Sequence, residues 1–120
     1  MLHLRIATMS NGFHRVHLRA EDGDHLTFYV PLKEDGRLDV DAHKPWLLKA
    51  LWDGYEYVGE LVLGSGKLHR IVWTGLGVAD QLTDFGTVPI RRGSIVRVYE
   101  AEDAEASAAY QFAVVDVRRV

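Results

Sequence analysis

Imidazole is the side chain best matched to proton transfer and metal ligation near neutral pH, and the chain carries 6 histidines in 120 residues. Their spacing does not describe a metal centre. His14 and His17 would project to opposite sides of a regular strand, and neither a His-x-His pair nor a His-Glu helix motif occurs. His3, His17 and His25 could converge on one exposed face, but ordinary surface histidines are the better account of them, so no metal and no cofactor is assigned. Asp35, Asp39 and Asp41 gather oxygen donors without the spacing and glycine placement of an EF-hand. They read as loop-solvating and helix-capping groups. His69 offers the sharpest acid–base reading: with Asp80 or Asp84 from the loop that follows, beside Thr83, it would form a proton-transfer couple. A couple without a nucleophile or a second carboxylate is not catalytic machinery, and no catalytic residue is assigned.

Phosphate-binding signatures dissolve on inspection. Gly64-Ser65-Gly66-Lys67 resembles the end of a phosphate loop, but Leu61 stands where its first glycine belongs and Leu68 where Ser or Thr would meet magnesium. It reads as a hairpin turn. Gly75-Leu76-Gly77 has no third glycine at Asp80 and no βαβ frame. Asp84-Phe85-Gly86 matches a kinase tripeptide in a chain too short for a kinase. Arg91-Arg92-Gly93-Ser94 has the look of a basophilic phosphorylation site, but basic residues before a glycine turn are common and carry little information.

Two surfaces remain as candidates. In the first, Arg5, Arg15, His17, Arg19 and Tyr29 share the polar side of an N-terminal meander. Pairing Leu4 with Leu18 and Ile6 with Val16 would set His3 opposite Arg19, Arg5 opposite His17 and Tyr29 beside His17. A basic, partly aromatic sheet face of this kind can stack bases and neutralise phosphates. It is equally what the solvated side of a half-buried sheet looks like. The acidic overall balance, with 14 basic against 17 acidic residues and a net charge of -3, argues against a general nucleic-acid binder. The second surface is aromatic. Trp46, Trp52, Tyr55 and Tyr57, with Trp73 as a further member and His69 nearby, could line a ligand pocket or anchor an interface. Core packing is the competing use for such large side chains.

The elements that must position these residues follow from composition and punctuation. The chain is 48% apolar and 26% charged, the profile of one folded domain spanning 1–120 rather than a disordered tail. A chain of this length buries roughly two thirds of the surface its unfolded form exposes, so it needs no disulfide or metal. No apolar stretch suffices to span a bilayer. The absence of cysteine and of a leader-like opening favours a cytoplasmic location and no membrane association.

Apolar residues alternate with a period of two and are cut by Gly, Asn and Asp, the signature of β-strands joined by tight turns. Strands are expected over 2–7, 15–20 and 26–32, with Ser10-Asn11-Gly12 as a hairpin turn and Pro31 at an edge or strand end. A short helix is expected over 41–52, capped by Asp41, admitting Pro45 in its first turn and stopped by Asp53-Gly54. Leu47, Leu48, Leu51 and Trp52 would share its apolar face. Further strands are expected over 55–63, 67–74, 94–101 and 108–118, with 75–87 as a long loop. The fold class is therefore mainly β and antiparallel, a barrel-like closure or a sandwich of about seven strands with one short helix. Several strands are apolar on both sides, notably at Val58 and Val62, Ile95 and Tyr99, and Val114, Val115 and Val117. Such strands want cover on both faces, which points to a homo-oligomer. The sequence thus supports a self-associating, non-catalytic binding or interaction module, with two rival functions: nucleic-acid or anion binding by the basic face, and a small-ligand barrel or enzyme built on the aromatic cluster and His69.

Overall fold

A computed structural model describes residues 12–42, 46–64, 68–75, 77–100 and 109–120. Eight antiparallel strands form a closed barrel in which sequence neighbours are also spatial neighbours. They are β1 (Phe13–Arg19), β2 (His25–Pro31), β3 (Trp46–Trp52), β4 (Tyr55–Val62), β5 (His69–Trp73), β6 (Gln81–Thr83), β7 (Ile95–Glu100) and β8 (Tyr110–Arg119). β8 pairs back onto β1 and closes the ring. Closure gives each of the eight strands a neighbour on both sides, which removes the free edges of an open sheet.

The binary pattern decides which side faces in. Val16 and Leu18 of β1, Leu26, Phe28 and Val30 of β2, and Trp46, Leu48 and Ala50 of β3 are buried, while the residues between them are half-buried or exposed. An eight-stranded barrel has an interior just wide enough for side chains to fill, and Leu61, Ile71, Val96, Val98, Phe112 and Val114 complete it. A bulge in the β1–β8 ladder between His17 and Leu18 leaves Val115 without an opposite residue. The extra residue resets the alternation, so that both Val114 and Val117 pack against the core.

The expected helix over 41–52 is absent: Trp46–Trp52 is strand β3. Trp-Leu-Leu-Lys-Ala-Leu-Trp carries both a helical stripe and an inward series of Trp46, Leu48, Ala50 and Trp52, and the outward Leu47 and Leu51 disguise the latter. Asp53-Gly54 is not a helix stop. With φ of 55° and 85° it is a two-residue hairpin turn joining β3 to β4, with Trp52 facing Tyr55. The second difference is β6, three residues within what read as a long loop. Its inward side chains are the polar Gln81 and Thr83, which inverts the usual apolar-in pattern. The expected strand 2–7, its Asn11 turn and the pairing of Val16 and Leu18 with Ile6 and Leu4 lie outside the described residues. The described partners of Val16 and Leu18 are Phe28 and Leu26 on β2 and Val117 and Val114 on β8.

One end of the barrel is closed by its own loops. Phe85 from the β6–β7 connection stacks on Phe28 with ring centroids 3.9 Å apart, and Leu32, Leu38 and Ile90 are buried around it. Ile90 donates its backbone N–H to Gly36 O at 2.7 Å, tying the β2–β3 and β6–β7 connections together. Gly36 has φ of 87° and lies against Ile90 backbone, so a side chain there is excluded on both counts. Among the described residues, no such plug of buried apolar side chains closes the opposite end, and the candidate site lies there.

Candidate ligand pocket at the barrel mouth

Inward positions of five strands converge at this mouth. Trp52 closes β3, Tyr57 is the first inward residue of β4, Gln81 opens β6, Trp73 ends β5 and Glu100 ends β7. Together with Gly77, Val78 and Ala79 they line a pocket of about 290 Å³. The volume is near the lower end of the ~300–1,000 Å³ range of small-molecule sites, and barrel mouths are a recurrent place for them.

The walls are held by packing. Tyr57 and Trp73 meet with centroids 6.0 Å apart at 61°, and Trp52 is braced from behind by Tyr110 at 4.9 Å and Phe112 at 5.7 Å. Gly59, two residues beyond Tyr57, makes room for the Trp73 ring: a Cβ there would lie 2.9 Å from its Cε3 and 2.8 Å from Val72 O. A polar chain lines the other side. The Trp73 indole N–H donates to Gln81 Oε1 at 2.9 Å, and the Gln81 amide donates to Glu100 Oε1 at 3.4 Å. A second, larger hollow of about 510 Å³ lies across Trp52, bounded by Arg19, Asp22, Asp24 and Tyr110.

The sequence-derived aromatic set is divided by the structure. Trp52 and Tyr57 stand in the pocket wall, whereas Trp46 is fully buried in the core and Tyr55 is 69% exposed beyond the mouth. His69 begins the strand that Trp73 ends, which places it about 13 Å away along β5 at ~3.3 Å per residue. There its Nδ1 accepts the Gly64 backbone N–H at 3.1 Å, a role open only to the neutral ring, and burial holds its pKa below the ordinary 6.5. Asp80 pairs with Arg70 at 3.4 Å, and Asp84 binds the backbone N–H of Arg97 at 2.7 Å and its guanidinium at 3.4 Å. Neither carboxylate bonds to His69 among the described residues. Gln81 and Glu100 were missed. Both are ordinary polar residues in sequence, and only the inward phase of short strands β6 and β7 reveals them.

The basic face is also rearranged. Arg15, His17 and Arg19 lie on the outer side of β1, and Tyr29 faces Arg15 rather than His17. His17 sits opposite Thr27 and Asp116, and its Nε2 lies 2.8 Å from Nδ1 of His25, with the two rings stacked. Burial, then His25 and Arg15, lowers the His17 pKa, while Asp116 opposes them. Asp116 also pairs with Arg118 at 2.8 Å, placing an anion inside the basic patch. Arg5 lies outside the described residues, as does His3. Among the described residues, no group of three or more His, Asp or Glu is arranged to hold a metal ion, and no helix is long and apolar enough to cross a membrane. No protein-family model, curated protein or solved structure matches the chain.

Proposed function

We propose that this protein is a non-catalytic binding barrel whose ligand is a small organic molecule seated in the mouth pocket. One observation carries the reading: Trp52, Tyr57 and Trp73 converge with the Gln81–Glu100 pair around one cavity at the barrel mouth. Apolar walls with a few oriented polar groups are the general composition of ligand sites. The aromatic reading of the sequence thus gains support over the basic face, where Asp116 interrupts the positive charge. Ligand-observed NMR of a fragment set tests it, with wild type compared against Tyr57→Leu. Binders that lose their signal in the variant support the pocket; a set in which no fragment depends on Tyr57 sinks it.

A second reading has its own observation. Leu47, Leu51, Val58, Val62 and Val72 are exposed together on the outside of β3, β4 and β5. Such a patch favours self-association through that outer face, measurable by light scattering over a dilution series. A cytoplasmic location fits a chain of 120 residues without cysteine; recovery of the tagged protein from the medium after cell fractionation would refute it.

A further inference from the structure

The charge and hydrogen-bonding capacity of the mouth pocket restrict what it can hold. Among the described residues, its lining contains Glu100 and no Lys, Arg or His. No ion pair to Glu100 forms among the described residues. The carboxylate is instead oriented through a relay. Because the Trp73 N–H can only donate, it fixes Oε1 of Gln81 toward the indole and turns Nε2 toward Glu100. That relay spends the amide on both neighbours and leaves a negative group beside three aromatic rings.

Aromatic faces carry negative potential and attract cations. An anionic ligand would meet Glu100 unfavourably, and a neutral one would leave its charge uncompensated. A primary ammonium has three N–H donors to satisfy, for which the described pocket side chains offer the Glu100 carboxylate, the Tyr57 hydroxyl and a Gln81 carbonyl already engaged by Trp73. A methylated ammonium needs few or no hydrogen bonds and presents methyl groups to ring surfaces. We propose that the pocket binds a methylated ammonium group, with Trp52, Tyr57 and Trp73 as its walls and Glu100 as its counter-charge. The inference rests on the mouth being a ligand site, and the test separates the two.

The full chain is titrated calorimetrically with choline and with its uncharged carbon isostere, 3,3-dimethylbutan-1-ol. Parallel titrations use a trimethyllysine peptide and the same peptide with unmodified lysine. At least one methylated cation is expected to bind about tenfold or more tighter than its control, the scale of a desolvated cation–π site. Glu100→Gln is expected to reduce that preference to a few-fold, and Tyr57→Leu to weaken the methylated cation about tenfold, with thermal melts confirming that both variants fold. Preference for choline would identify a free small cation and preference for the peptide a modified side chain; either ordering upholds the proposal. Controls that bind as tightly as the methylated cations would overturn the cation inference while leaving the ligand pocket standing. No binding by any of the four probes at millimolar concentration would overturn both.

Discussion

The indole N–H of Trp73 reaches Gln81 across the β5–β6 hairpin at 2.9 Å, and this bond joins the pocket wall to its polar side. Trp73 is only 7% exposed and Gln81 only 9%, so water is poorly placed to replace either partner. Gln81→Leu keeps the volume and removes the acceptor, leaving a buried donor unmade at a cost of about 1–3 kcal/mol. Urea unfolding should show a lower midpoint with an unchanged slope. An unchanged midpoint would mean that the indole finds another acceptor.

Gly59 is the small residue that allows Trp73 its position. Replacing Gly by Ala ordinarily gains a few tenths to about 1 kcal/mol by restricting the unfolded chain. Here the new Cβ would meet Val72 O at 2.8 Å and the Trp73 ring at 2.9 Å, and backbone cannot give as a flexible side chain can. Overpacking of this kind costs about 1–3 kcal/mol, so Gly59→Ala should be destabilising overall. It should also shift tryptophan emission, because the ring it displaces lines the pocket. A higher melting temperature would contradict the packing account.

The same residues explain why some of the fold was legible in sequence and some was not. The alternation of Leu26, Phe28 and Val30, or of Val96 and Val98, survives into the structure because large apolar side chains mark every inward position. β3 resembles a helix in sequence because Leu47 and Leu51 are apolar yet exposed, which adds a second periodicity to the first. β6 gives no signal at all, since its inward residues are satisfied by hydrogen bonds to neighbouring strands and the following loop rather than by apolar burial. Thr83 donates to Arg97 O at 2.8 Å and accepts from Phe85 N–H at 3.1 Å, while Gln81 serves Trp73. The pocket was half visible for the same reason. Trp52 and Tyr57 announce themselves by type, but Gln81 and Glu100 acquire meaning only from strand phase and barrel closure.

Stability should fall on mild acidification. His17 and His69 both have pKa values held below the ordinary 6.5, His17 by burial, His25 and Arg15 and His69 by burial. In the window from about 6.5 down to those folded values, the unfolded chain binds more protons than the folded one, and stability therefore rises with pH there. Above the window both states carry neutral rings, and below it the loss levels off. Geometry agrees: the 2.8 Å His17–His25 contact needs one ring neutral, and Nδ1 of His69 can accept from Gly64 only when unprotonated. Chemical denaturation at pH steps through this window should show the decline. His17→Gln with His69→Gln should flatten it, and an undiminished slope in that double variant would show that other groups control it.

Self-association can be tested without disturbing the barrel, because the register around Glu60 supplies compatible substitutions. Glu60 lies between Leu47 on β3 and Val72 on β5, both outward-facing and exposed. Lysine at either position would stand directly opposite a carboxylate, a cross-strand pairing worth roughly 0.2–1 kcal/mol in favour of the sheet. The double variant Leu47→Lys/Val72→Lys should therefore fold with near-normal stability while losing two apolar contacts from the outer face. If β3, β4 and β5 meet a second copy of the chain, wild type will show a mass that rises with concentration, and the variant will remain monomeric over the same range. The lysines would then be desolvated in the interface, which costs far more than their pairing returns. A wild type that stays monomeric at every concentration removes the interface, and its exposed valines and leucines are then the ordinary apolar share of a protein surface.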